Sequence, residues 1–427
     1  MSEGMAVKRA GSRRWVRSPA ATQRPVTQRV AFWCAMVGAG VVAGGVAVAG
    51  AAIAGSAAFA RAAATPAVRR DTPIEVVRIE RAAGQSVVWL RGAEADLPGR
   101  YSLIWERGHA RVGEIITRAG GLVARTVVTV DEGDLIEGLR CRITGWWYPS
   151  AAALADESDD VRDVHEIELP LTGGVAPAWV LRPAKRARPG RGGRWAIHVH
   201  GRGALPAETL RGVAPLARAG ITNLVMSYRN DPGAPAGDDG RYGFGVTEAA
   251  DVDAAIQYAL EQGASRVTLV GWSMGATACL VAATRGAHRD MIDGLMLESP
   301  AIDWPRLLEH QARLHRAPGG LAKLGIALLE RGVVAADTAG DGIDFTAVTP
   351  AAFARELQVP TLIHASTGDT FVPAAGAEEL AKLCPNLVHL RLVDQGEHVK
   401  LWNVDAESWE RVTEEFVRVL PRPAWRG

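Results

Sequence analysis

The 427-residue sequence predicts an α/β protein: an eight-stranded, mostly parallel sheet with helices on both faces. A small antiparallel β-rich domain and an N-terminal transmembrane helix are predicted ahead of it. Three observations carry this prediction. From residue 195 onward, six continuous apolar runs of strand length alternate with helical stretches, as strands buried on both faces require. Residues 73–145 hold short runs rich in Val, Ile, Trp and Tyr, mostly separated by turn-formers. Residues 30–60 contain no charged side chain.

The N-terminus reads as a basic cytoplasmic tail at residues 1–29, with Lys8, Arg9, Arg13, Arg14, Arg17, Arg24 and Arg29 against the single acid Glu3. The uncharged run at 30–60 exceeds the roughly 20 residues that cross a bilayer. Its basic flank predicts a single-pass cell-membrane protein with the rest of the chain outside the cytoplasm. A cleaved signal peptide, giving a secreted protein, is the alternative, because Ala58-Phe59-Ala60 resembles a cleavage site. The run is longer than the roughly 7–15 residues of a signal core, which favours an uncleaved anchor.

Residues 61–72 read as a linker, and residues 73–160 as the β-rich domain. Its runs are IEVVRI, SVVWL, YSLIW, HARVGEI, LVARTVV and CRITGWW. His109 reads as an exposed strand histidine, and the acidic stretch at 155–160 as a solvated connector. Bulk properties exclude other classes. The formal net charge of +1 gives no reason to expect nucleic acid as partner. Cys34, Cys141, Cys279 and Cys384 form no C-x-x-C pair, so neither a zinc site nor a disulfide framework is indicated. Cys279 reads as a small core residue.

The domain at 161–427 begins with a hairpin around Thr172-Gly173-Gly174. The six runs follow at 195–200, 221–228, 267–271, 294–299, 360–366 and 387–393, making eight strands. In such sheets the active groups sit at the carboxyl ends of the strands. Gly201-Arg202-Gly203 follows the first run and Gly271-Trp272-Ser273-Met274-Gly275 the third. Asp369 follows the fifth run and His398 the sixth. A G-x-S-x-G pentapeptide is weak evidence in a chain with 47 glycines. A serine, an acid and a histidine at three strand ends on one rim form a much stronger pattern.

On these residues the sequence resembles the α/β-hydrolases over about residues 164–420. The order Ser, Asp, His and the pentapeptide between strand and helix match that family's nucleophile elbow. HGRG resembles its loop after the third strand, GDTFVP its acid loop and GEH its histidine loop. Within that family it looks most similar to the branch containing prolyl-oligopeptidase-like and aminopeptidase-like enzymes. The resemblance implies an α/β-hydrolase fold with Ser273 as nucleophile, His398 as general base and Asp369 as its orienting acid. It places the oxyanion hole at the backbone N–H groups of Met274 and Arg202, with Gly203 as a further candidate. Gly271 and Gly275 would keep the elbow free of side chains.

Glu298, at another strand end, is the alternative acid. His198 and His200 share one strand face, but no third ligand accompanies them, so no metal and no cofactor are expected. Arg202 could meet an anionic substrate or be a solvated rim residue. The loop at 229–245, with Tyr242 and Phe244, should overhang the site. A short lid at about 302–350 should leave the pocket open. The reading is a membrane-anchored serine hydrolase, carboxylesterase-like, acting on a small-molecule or lipid-like acyl substrate. A peptidase, an amidase or an acyltransferase could use the same triad. A catalytically silent scaffold that binds a cell-envelope partner is an alternative of another class.

Overall fold

The computed structural model describes residues 44–66, 71–82, 84–184, 193–334, 336–338 and 340–420. The chain divides into two compact units, Met1–Ala52 and Ile53–Gly427. The basic tail and the first part of the uncharged run lie outside the described residues. Helix α1 (Gly44–Ala64) contains the rest of that run.

Among the described residues, no helix is long and apolar enough to cross a membrane. The last turns of α1 are instead protein core. Ser56, Ala60 and Ala64 are buried, and Ala60 and Ala64 belong to the main apolar cluster of the larger domain. This corrects two expected boundaries. The run does not face lipid as far as residue 60, and residues 61–64 continue the helix rather than opening a linker.

Six strands follow: β1 (Ile74–Ala82), β2 (Gln85–Arg91), β3 (Tyr101–Trp105), β4 (Gly108–Ala119), β5 (Leu122–Glu132) and β6 (Arg140–Thr144). They close into an antiparallel barrel in the order β1-β2-β5-β4-β3-β6. Closure leaves no free strand edge. Val76, Val88, Leu90, Leu103 and Val112 fill the interior. Arg125 is also fully buried, and its guanidinium donates to the carbonyls of Ala95 (3.1 Å), Gly99 (2.7 Å), Gly113 (3.0 Å) and Leu97. One cation thus fixes the loop between β2 and β3. His109 is buried rather than exposed: its Nδ1 lies 2.7 Å from Asp131 Oδ2 on the paired strand.

The acidic stretch after the barrel keeps Asp156, Glu157 and Asp159 exposed, as a solvated connector would, but its first residues are helical. Helix α2 (Ala151–Glu157) starts at Ser150, whose Oγ accepts the Ala153 N–H at 3.2 Å. Leu154 packs in one cluster with Val161, Leu210 and Val225, and Glu157 pairs with Arg111 of β4.

The larger domain runs β7 (Val161–Leu171), β8 (Gly174–Pro183), β9 (Arg194–Val199), α3 (Val213–Arg218), β10 (Thr222–Met226), α4 (Ala249–Glu261), β11 (Arg266–Trp272), α5 (Met274–Arg285), β12 (Ile292–Glu298), α6 (Trp304–Leu314), α7 (Gly319–Glu330), α8 (Pro350–Glu356), β13 (Thr361–Ser366), α9 (Ala375–Leu383), β14 (Val388–Val393), α10 (Leu401–Val404) and α11 (Ala406–Val419). Its eight strands take the order β14-β13-β12-β11-β9-β10-β8-β7. The β7–β8 and β8–β10 pairs are antiparallel and the other pairs are parallel.

Alternation along each strand feeds two cores. On β11, Val267 and Leu269 join a cluster with Ile256 of α4 and Leu280 of α5. Val270 and Trp272 join the opposite one with Leu216 of α3 and Trp409 of α11. After β9 the chain steps first to β10 and later, with β11, to the other side. The carboxyl ends of β9 and β11 therefore flank a switch point, where such sheets open a crevice.

Candidate active site

Ser273 stands between β11 and α5 with φ +53° and ψ −114°, a conformation that costs of order 1–3 kcal/mol for a residue with a Cβ. Three backbone bonds hold it there. The Ser273 N–H donates to Glu298 O (2.9 Å), and its own carbonyl accepts from Ala276 and Ala301 N–H (both 3.1 Å). The flanking glycines leave no room for a side chain. A Cβ at Gly275 would lie 2.2 Å from Val199 O, and one at Gly271 would lie 2.5 Å from Ala276 Cα.

Three residues expected together do meet. His398 Nε2 lies 2.8 Å from Ser273 Oγ, and His398 Nδ1 lies 2.8 Å from Asp369 Oδ2. The second carboxylate oxygen, Oδ1, accepts the N–H groups of Phe371 (2.9 Å) and Val372 (2.8 Å). These two bonds fix the carboxylate toward the imidazole. Glu298 is elsewhere: its Oε1 accepts the Leu401 N–H at 3.2 Å, and burial pushes its carboxyl up to about 7.

The loop after β9 sorts its own donors. The Gly201 N–H goes to Glu208 Oε2 (3.0 Å) and the Gly203 N–H to the Tyr242 hydroxyl (2.9 Å). Among the described residues, the N–H groups of Arg202 and Met274 have no protein acceptor. Gly203 is thereby displaced as an oxyanion candidate, because its donor is already spent. The Arg202 guanidinium donates to Ala63 O at the end of α1 (2.8 Å), so it is a tethered rim residue.

His198 and His200 turn to separate partners. His198 Nε2 meets Asn223 Oδ1 (2.9 Å), and burial lowers its imidazole to about 4. Burial would also lower His200, but Asp231, 2.7 Å away, outweighs it and raises that imidazole. Among the described residues, no group of three or more His, Cys, Asp or Glu is placed to hold a metal ion.

A cavity of about 420 Å³ opens over Ser273 and His398. Trp304, Leu307 and Leu308 of α6 give it an apolar wall. Glu94, Thr144 and Trp146, from the barrel and the residues just after it, give it another. The sequence carried no signal for that second wall, since no motif marks Glu94 or Thr144. Glu208 was likewise invisible: it is one carboxylate in an ordinary helical stretch. Tyr242 was placed in an overhanging loop, and its hydroxyl reaches the site as that position implies.

A family model described as the alpha/beta hydrolase family matches residues 196–415, a little over half of the chain. The chain belongs to the alpha/beta hydrolase family. A second model, described as a domain of unknown function (DUF8805), matches residues 75–144, the barrel of this hydrolase. No curated protein matches the chain. Similar solved structures include the esterase Pf2001 of Pyrococcus furiosus, at 16% identity and TM-score 0.45, covering 60% of this chain and 90% of that one. An esterase of Exiguobacterium antarcticum has 17% identity and TM-score 0.41, covering 60% of this chain and 100% of that one. Est1E of Butyrivibrio proteoclasticus has 17% identity and TM-score 0.43, covering 59% of this chain and 97% of that one.

Proposed function

We propose that this hydrolase is a serine esterase that cleaves carboxylic esters through an acyl-Ser273 intermediate. The observation that carries the reading is the unbroken hydrogen-bonded line from Ser273 through His398 to Asp369. As Ser273 Oγ attacks the acyl carbon, His398 Nε2 takes its proton. Asp369 holds the imidazole in the required tautomer and stabilises its cation. The oxyanion collects on the N–H groups of Met274 and Arg202, each donor being worth about 3 kcal/mol. His398 then passes the proton to the leaving oxygen, and the alcohol departs. Water repeats the cycle at the acyl carbon and frees Ser273.

An ester is favoured by the apolar wall of Trp304, Leu307 and Leu308, which suits an aliphatic acyl group. A rate comparison of p-nitrophenyl esters of varied chain length with aminoacyl anilides tests the leaving group. Faster cleavage of anilides than of every ester would move the enzyme to the peptidase side of the family, with the triad unchanged.

We also propose that the enzyme works outside the cytoplasm, tethered by the uncharged residues up to about 52. The basic flank and the length of that run support this. Membrane fractionation with alkaline extraction tests it: a tethered enzyme stays in the pellet, and release into the wash overturns the tether.

A further inference from the structure

We propose that the barrel builds the leaving-group subsite of this enzyme on Glu94 and Lys400, and that this subsite selects esters whose alcohol carries free hydroxyls. The inference rests on the ester reading above.

The direction comes from the chemistry. His398 must hand its proton to the leaving oxygen, so the alcohol part lies on the imidazole side of Ser273. On that side the chain continues through Val399 and Lys400, and both line the cavity with His398. Lys400 Nζ lies 3.1 Å from Glu94 Oε2 on the barrel loop. An ammonium has three donors. Among the described residues Glu94 is the partner of one of them, and Glu94 itself is about half exposed. Both groups can therefore bind hydroxyls without giving up each other. A purely apolar alcohol would cover this ion pair with hydrocarbon and gain no hydrogen bond in return.

The wall is braced to the imidazole. Glu94 has φ +68°, an unfavourable backbone for a residue with a side chain, and the carbonyls just after it are held by buried Arg125. Beyond the loop, the Arg100 N–H donates to Asn403 O (2.9 Å). Asn403 Nδ2 donates to Arg100 O (2.8 Å) and Gly145 O (3.1 Å). Asn403 Oδ1 accepts from Arg211, which also donates to Val399 O (3.0 Å), the residue after His398. The barrel edge and the histidine loop thus share buried Asn403 as one anchor.

The test compares glyceryl monobutyrate with ethyl butyrate by titrating released acid, each rate normalised to its hydrolysis by hydroxide. The full chain is expected to favour the glyceryl ester in kcat/KM by about tenfold, the value of one hydrogen bond to a charged group. Lys400→Met should remove most of that preference through a higher KM for the glyceryl ester. Glu94→Ala is the second variant and should act the same way if Lys400→Met fails to fold. Equal rates for the two esters in the wild type, or an unchanged ratio in a folded variant, overturn the subsite and leave the esterase reading standing. If p-nitrophenyl butyrate and both other esters stay intact while Ser273 still reacts with a fluorophosphonate, the ester reading itself falls and takes the subsite with it.

Discussion

The carbonyl of Glu298 accepts the Ser273 N–H at 2.9 Å, so the end of β12 holds the nucleophile's backbone in its positive-φ conformation. The bond has a consequence for stability that can be separated from activity. Ser273→Ala and Ser273→Gly should both lower kcat at least about 10⁴-fold. Glycine adopts positive φ freely, so the Gly variant should be more stable than the Ala variant by about 1–2 kcal/mol. Urea denaturation of the two variants measures the difference.

Asp369 and Glu298 are separated by kinetics. Asp369→Asn should keep the fold and lower kcat about 10⁴-fold, because the imidazole then loses its orienting charge and its tautomer. Glu298→Gln should keep kcat close to wild type, since its carboxyl bonds Leu401 and not His398. Steady-state rates on one p-nitrophenyl ester decide between them.

Glu298 should show itself in stability against pH. Burial raises its carboxyl from an ordinary 4.5 to about 7 in the folded chain. The folded state therefore keeps a proton that the unfolded state has released. Its stabilising effect is complete below about 4.5 and is lost as pH rises through about 7, an effect of order 3 kcal/mol. Glu298→Gln should flatten that part of the profile. Chemical denaturation of both proteins at pH 5 and pH 8 checks the sign: the wild type should lose more between the two.

Two substitutions test the oxyanion donors. Met274→Ala leaves the N–H in place, so activity should hold while stability falls by about 2–5 kcal/mol from the emptied core position. Tyr242→Phe removes the hydroxyl that holds the Gly203 N–H. It should lower kcat by about tenfold or less, through a loosened Arg202 loop, with KM little changed. Kinetics paired with thermal melts separate the two effects.

The sheet and the triad were legible in the sequence because both leave local marks. Buried parallel strands need continuous apolar runs, and the elbow needs glycine on both sides of Ser273. The six barrel strands were legible for the same reason, but their closure was not, since the β1–β6 pairing joins residues far apart in sequence. His109 was misread as exposed because its burial depends on Asp131 of the neighbouring strand and on Trp146 O. The end of α1 was misread because an Ala-rich turn serves lipid or a protein core equally well. Only the packed chain shows Ala60 and Ala64 inside the larger domain. Asn403 and Glu94 carried no signal at all, because their roles come from contacts between the barrel and the histidine loop.

The central claim is that Ser273 is the activated nucleophile, and its most direct test is covalent. The folded protein, treated with a fluorophosphonate, should take up one adduct per chain, mapped by peptide mass spectrometry to Ser273, and His398→Ala should abolish the uptake. Folded protein that stays unlabelled, or that carries the adduct on another residue, would contradict the account.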